Sequence, residues 1–429
     1  MRNLQNLERR DGLLFQNATV LTMDDHRVLY GCDVRVQGTG ASSCITDVRE
    51  NLVPYPGDQV IDCKGKYLLP GLIDAHVHFD HDYMGPLLLA AGITSVRNMR
   101  GYEEHAKRKQ QILEGSLPGP FIESTGPILD GEDPTIPEND NWILHDPEEV
   151  EEAIAYTKEQ GFRFVKTYPM LEPELYRYLM RRCADEDLPV SGHMTKTISH
   201  RELMDLGYYC CEHASSLPKA DEDIDYISKA GIWFCPTQLV CETLPDYVWN
   251  GKKLTDLEHW ESLPVCVQEE WLRKNEIIAE SYKKQGIHPD IRIIIGRARR
   301  FLEHSDRVLA GSDCAYPGIL PGFSLWTELA KLVSLYGLSA EEALLCATAR
   351  PAQCMKLGGT KGRIVAGMDA DLIVLAETPL SDIRHISSVQ TVVADGRLYD
   401  QAFFAKELAK IHQIHELPEA PGSSPLPRS

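Results

Sequence analysis

The stretch "YLLPGLIDAHVHFDH", residues 67–81, decides the fold. An apolar run ends in two histidines one residue apart, His76 and His78. On a β-strand, residues i and i+2 point to the same face. Two imidazoles therefore look one way from the end of a buried strand, which raises the question of a metal and of its other ligands. Those ligands would have to come from further strands that end at the same place.

The chain downstream supplies such strands. From residue 69, eight short β-rich runs alternate with helical stretches: "GLIDAHVHF", "GITSVRNMR", "PFIESTGPI", "FRFVKTYP", "LPVSGHMT", "GYYCCEHAS", "GIWFCPTQ" and "RVLAGSDC". Helix-like segments such as "PEEVEEAIAYTKEQG" and "EPELYRYLMRRCADED" lie between them. This alternation implies parallel strands with crossover helices. Eight units predict a closed (β/α)8 TIM-like barrel, with active groups at the C-terminal strand ends. Upstream, "GLLFQNATVLTM" and "DVRVQGTG" read as strands. After the eighth unit, "SAEEALLCATARPAQCMKLG" reads as a final helix, and then β character returns in "GRIVAGMDADLIVLAE" and "VQTVVADGRLYD". The expected fold class is therefore α/β. Residues 12–68 and 358–405 would build a small β-sandwich from both chain ends, 69–357 the barrel, and 406–429 a disordered Pro- and Ser-rich tail.

Two connections are long, "LDGEDPTIPENDNWILH" after the third strand and residues 239–304 after the seventh, where "PVCVQEEWLRKNEIIAESYKKQG" looks helical. Long loops on the top of a barrel are expected to act as lids. The first carries Glu132, Asp133, Glu138 and Asp140, read as a solvated acidic loop in preference to a site for a basic substrate.

Composition limits the partners. The 429 residues hold 44 Lys and Arg against 64 Asp and Glu, a formal net charge of −20. That opposes nucleic acid or an anionic membrane as the main partner and leaves a small molecule. No apolar run is long enough to span a bilayer, and "MRNLQNLERRDG" has no apolar core of signal-peptide length. Twelve cysteines without a CxxC pair read as reduced thiols in a cytoplasmic protein. Homo-oligomerisation is left open.

The C-terminal ends of the eight runs then carry the chemistry. They present His76 and His78 from the first, Lys166 from the fourth, His193 from the fifth, His213 from the sixth and Asp313 from the eighth. Singly, each has an ordinary explanation: a hydrogen-bonded core histidine, or an aspartate capping the next helix. An unpaired lysine in a barrel mouth would be costly. Jointly, in barrel order, they point to a metal site. His81, His105, His145 and His200 fall in expected loops or helices and are read as surface groups or supports behind the ligands.

These segments, "LLPGLIDAHVH", "FVKTY", "GHMT", "EHAS" and "GSD", closely resemble the metal-dependent amidohydrolase superfamily over residues 12–400. Within it the chain is similar to the imidazolonepropionase-like and prolidase-like branch. The resemblance implies two divalent metal ions, zinc by default. His76, His78 and Asp313 would hold one and His193 and His213 the other, with a carboxylated Lys166 bridging them. It also implies Asp313 as the base that takes a proton from the attacking water. Tyr168, two residues past Lys166, would add a hydrogen bond to the substrate oxygen, although it also reads as a core aromatic. The leading expectation is a C–N hydrolase acting on a dipeptide or N-acyl amino acid. Alternatives are an esterase, lactonase or phosphotriesterase on the same site, and a mononuclear deaminase or cyclic amidohydrolase with Lys166 unmodified. A non-catalytic scaffold comes last.

Overall fold

The computed structural model describes residues 12–134 and 141–422. Seven strands, Leu72–Val77, Ile93–Asn98, Phe121–Asp130, Phe164–Thr167, Val190–Gly192, Cys210–Glu212 and Trp233–Cys235, pair in parallel in chain order. The eighth run closes the ring without a regular ladder. On one side Leu309 N donates to Phe234 O at 2.9 Å; on the other Ala75 N donates to Ala310 O at 2.9 Å and Asp313 N to His76 O at 2.8 Å. A buried carboxylate takes over part of the ladder. Asp74 accepts from Ser312 N at 2.9 Å, Ser312 Oγ at 2.6 Å and His76 N at 3.2 Å. Burial raises its pKa to about 7, against the opposing pull of those bonds.

The two chain ends form one eight-stranded mixed sheet, as expected for the sandwich. Five strands come from Gly12–Pro70 and three from Leu372–Asp400. The seam is antiparallel: Leu372 faces Pro70 and Leu375 faces Tyr67. Leu372 and Val374 bury into the sheet's own core with Phe15, Val34 and Leu68. Their neighbours Ile373 and Leu375 point the other way, into the core shared with the barrel. A strand covered on both faces has no use for polar alternation, which is why "LIVL" is uniformly apolar. Tyr67–Pro70 belongs to this sheet, so the barrel proper begins at Leu72.

Removing residues 358–429 would strip the partner from Tyr67–Pro70 and expose a hydrophobic edge. The truncated chain is expected to be insoluble, checked by the soluble fraction on expression. A soluble, active chain ending at 357 would show that the two halves of the sheet do not depend on each other.

Two expectations change and a third holds. The single final helix is two, Ala340–Cys346 and Ala349–Cys354. Pro351 lacks an N–H and its ring would clash with the carbonyl four residues back, so a continuous helix cannot pass through. The tail is not disordered from residue 406. A helix spans Gln401–His412, capped by Asp400 accepting from Phe403 N at 2.9 Å, and it buries Phe404 and Ile411. The apolar spacing of Phe404, Leu408 and Ile411 is helical and outweighs the Pro-rich composition beyond it. Finally, the long connection after the seventh strand is largely helical, with Val265–Gln285 matching the expected segment and Ile291–Leu302 following it. Among the described residues no helix is long and apolar enough to cross a membrane.

Candidate metal centre at the barrel mouth

The strand ends bring all the named groups together. His76 Nε2 lies 3.3 Å from Lys166 Nζ and 3.4 Å from Asp313 Oδ1. His78 Nε2 lies 3.3 Å from Asp313 Oδ1, and His213 Nδ1 lies 3.6 Å from Asp313 Oδ2. The ring of His213 is 4.8 Å from that of His76 and 4.5 Å from that of His193. Tyr168 stands edge-on to His193 at 4.5 Å, and Lys166 Nζ is 5.6 Å from the Tyr168 ring. Backbone strain marks the same place. His213, Thr237 and Asp313 have φ of +71°, +41° and +60°, a region costly for residues with a Cβ and often occupied at functional sites.

Burial sets the charge states. It depresses all four imidazoles, His193 to about 3, so they are neutral with lone pairs free to coordinate. It also lowers Lys166 to about 8, with Asp313 and Glu212 pulling the other way. Burial opposes ionisation of Asp313, but His76, His78 and Lys166 overcome it and hold the carboxyl at about 2.

This donor set fits a metal. Among the described residues, the buried Nδ1 atoms of His78 and His193 have no hydrogen-bond partner. His76, His213 and Asp313 offer ligand atoms close enough to share one ion. Neutral imidazoles with an ionised carboxylate are the donors zinc prefers.

Three supporting residues were not read from the sequence. Glu212, immediately before His213, accepts from His76 Nδ1 at 2.8 Å and from Arg97 at 2.6 Å. Arg97 also donates to Ala75 O at 2.6 Å, and both charged side chains are fully buried inside the barrel. The carboxylate thus fixes His76 as the tautomer with Nδ1 protonated, which leaves the Nε2 lone pair facing Asp313 and Lys166. Thr237 Oγ1 orients His213 in the same way at 2.7 Å from Nδ1. The available signal was a pair of opposite charges on inward faces of barrel strands.

Glu212→Gln should weaken metal binding by about 10–100-fold. It should also lower Tm, because Arg97 loses its buried counter-ion. Metal titration followed by a chromophoric chelator, alongside calorimetry, checks both; unchanged metal affinity would reduce Glu212 to a packing role.

The other histidines divide. His145 pairs with Glu149 on the surface, and His81 stacks on Tyr83 at 6.0 Å. His105 is buried 4.0 Å from Asp80, and His200 lies 3.6 Å from Asp223. In the first lid Glu132 and Asp133 are exposed, whereas Glu138 and Asp140 lie outside the described residues.

The amidohydrolase family profile matches residues 67–399. Ochratoxinase of Aspergillus niger is 24% identical over 383 residues, covering 74% of this chain and 72% of its own length. Among solved structures, a Xaa-Pro dipeptidase with bound methionine superposes with a TM-score of 0.71 at 20% identity, over 91% of this chain and 100% of that one. A bottromycin amidohydrolase superposes with a TM-score of 0.73 at 19% identity, over 98% and 95%.

Proposed function

Because this chain belongs to the amidohydrolase family, we propose that it cleaves the C–N bond of a small amide, such as a dipeptide or an N-acyl amino acid, with two divalent metal ions. The observation that carries this reading is the convergence of four neutral imidazoles, an ionised carboxylate and a buried lysine at one barrel mouth. His76, His78 and Asp313 would hold one ion, and His193 and His213 the other. Lys166, carboxylated by carbon dioxide with loss of a proton from Nζ, would bridge them. When bound, such ions acidify water and polarise a carbonyl.

The remaining work falls to the protein. Asp313 takes the proton of the attacking water and passes it to the departing amine. Tyr168 offers its hydroxyl to the carbonyl oxygen as charge develops there. The carboxylate of Glu212 keeps His76 in its binding tautomer. Similarity to proteins named dipeptidase and amidohydrolase supports an amide in preference to an ester, lactone or phosphotriester. In this reading the enzyme works in the cytoplasm on a small molecule, which twelve cysteines without a CxxC pair support.

Metal content per chain together with a substrate screen tests this. Dipeptides, N-acyl amino acids, esters and lactones would be offered to the zinc-loaded protein and read by amine or alcohol release. Two metals and amine release are expected. One metal with ammonia release points to the mononuclear deaminase, and no metal to a scaffold.

A further inference from the structure

Glu328 is fully buried in the helix Phe323–Ser334, which follows the loop that carries Asp313. Its carboxylate reaches away from its own helix. Oε1 accepts from Gln238 N at 2.8 Å and Oε2 from Leu239 N at 2.9 Å. These are the first two N–H groups of the helix Gln238–Leu244, which begins just after the seventh strand. Burial raises the Glu328 pKa to about 7, while the two backbone donors and nearby Lys331 pull it back down.

The residue placed to cap that helix is Thr237. Threonine is a favoured N-cap: with an extended backbone, its hydroxyl accepts from the second or third N–H of the helix. Thr237 stands at that position, yet its backbone is left-handed, with φ +41° and ψ +51°, and its hydroxyl makes no capping bond. Such a conformation is costly for a β-branched residue. Oγ1 lies instead 2.7 Å from His213 Nδ1. The strain is imposed from both sides. Before Thr237, His213 N donates to Cys235 O and Ala214 N to Pro236 O, both at 2.8 Å. After it, Glu328 holds Gln238 and Leu239. Gln238 is gripped a second time, because its Oε1 accepts from Tyr336 Oη at 2.6 Å and its Nε2 donates to Glu242 Oε1 at 2.8 Å.

We propose that Glu328 is a positioning residue for the metal centre: by capping the helix in place of Thr237, it keeps the Thr237 hydroxyl on His213 and the imidazole in the tautomer with Nδ1 protonated and Nε2 free to coordinate. Without the carboxylate, Thr237 relaxes to the extended conformation and turns its hydroxyl to the helix, and His213 loses its partner. The consequence for metal binding rests on the two-metal reading above; the orientation of His213 does not.

The test is nitrogen NMR of the histidine-labelled, metal-free full chain as wild type, Glu328→Gln, Thr237→Val and the double variant, followed by zinc titration against a chromophoric chelator. Glutamine keeps the shape but turns an amide N–H toward one of the two backbone donors. In wild type His213 should show the single Nδ1–H tautomer. In Glu328→Gln its nitrogens should move toward the averaged values of exchanging tautomers, as in Thr237→Val. Affinity for the ion assigned to His193 and His213 should fall about tenfold. The double variant should bind no more weakly than Thr237→Val alone, because both substitutions act through one bond. A Glu328 that only stabilises the fold would lower Tm, leave the His213 nitrogens as in wild type and add its effect to that of Thr237→Val. Either of the last two results, or mixed tautomers already in wild type, overturns the proposal. If Glu328→Gln does not fold, Glu328→Asp, which is shorter by one methylene, is read in the same way. If wild type binds no zinc, the two-metal reading fails, and the His213 tautomer alone decides the role of Glu328.

Discussion

Asp313→Asn is expected to lower kcat by about 10²–10⁴-fold, the usual worth of a general base. At the lower end that is about 2.7 kcal/mol of barrier. The substitution keeps the shape of the side chain but removes the proton acceptor. In the native protein Asp313 is ionised despite its burial, because His76, His78 and Lys166 surround it. Its backbone is locked by the bond from Asp313 N to His76 O, so the substituted amide side chain would stay in place and the comparison isolates the charge. In the proposed two-metal arrangement, the ion assigned to His193 and His213 should be retained, while that assigned to His76, His78 and Asp313 weakens. Steady-state kinetics beside metal analysis on the purified variant gives the answer. Near-wild-type kcat with both metals present would make Asp313 a structural residue and send the search for the base elsewhere.

Lys166→Ala should abolish turnover and reduce metal content from about two to about one or fewer per chain. Lys166 is almost fully buried, and among the described residues it forms no ion pair with a carboxylate. A lone ammonium there is costly. Burial has already lowered its pKa to about 8, so a neutral amine able to attack carbon dioxide is readily available near neutral pH. The carbamate would replace the awkward cation with an anion among potential cation ligands. Added acetate or bicarbonate should restore part of the metal content in the alanine variant, since a small carboxylate can occupy the vacated space. Intact mass of the metal-loaded wild type gives a second readout, with carbon dioxide released on acidification. Full metal occupancy on a chain whose Lys166 carries no added carbon dioxide would sink the bridging role.

Much of the barrel was legible because its code is local. Each strand announces itself by a short apolar run, and the candidate ligand sits at its end, as His193 does in "VSGHMT" and His213 in "CEHAS". The supports were harder to see because they act between strands. Arg97 and Glu212 pair from the second and sixth strands, and nothing near either residue names the other. Asp74 was hidden for a related reason. It lies inside the run "GLIDAHVHF", yet its partner, Ser312, is on the eighth run, and their bonds stand where a ladder was expected. The tail helix is masked by composition: a Pro- and Ser-rich end directly follows the amphipathic spacing of Gln401–His412.

The seam between Tyr67–Pro70 and Leu372–Leu375 has a consequence in time. Roughly 300 residues lie between those two strands, and at ribosomal rates of about 5–20 residues per second they take roughly 15–60 s to make. Throughout that interval the five N-terminal strands are already outside the ribosome with their inner edge open, while the barrel assembles beside them. Pairing at such sequence separation is slow to form and leaves an adhesive edge exposed. The nascent chain is therefore most vulnerable to aggregation before the segment from Leu372 onward emerges. A chaperone that shields Tyr67–Pro70 during that window would raise the yield more than one acting on the finished chain.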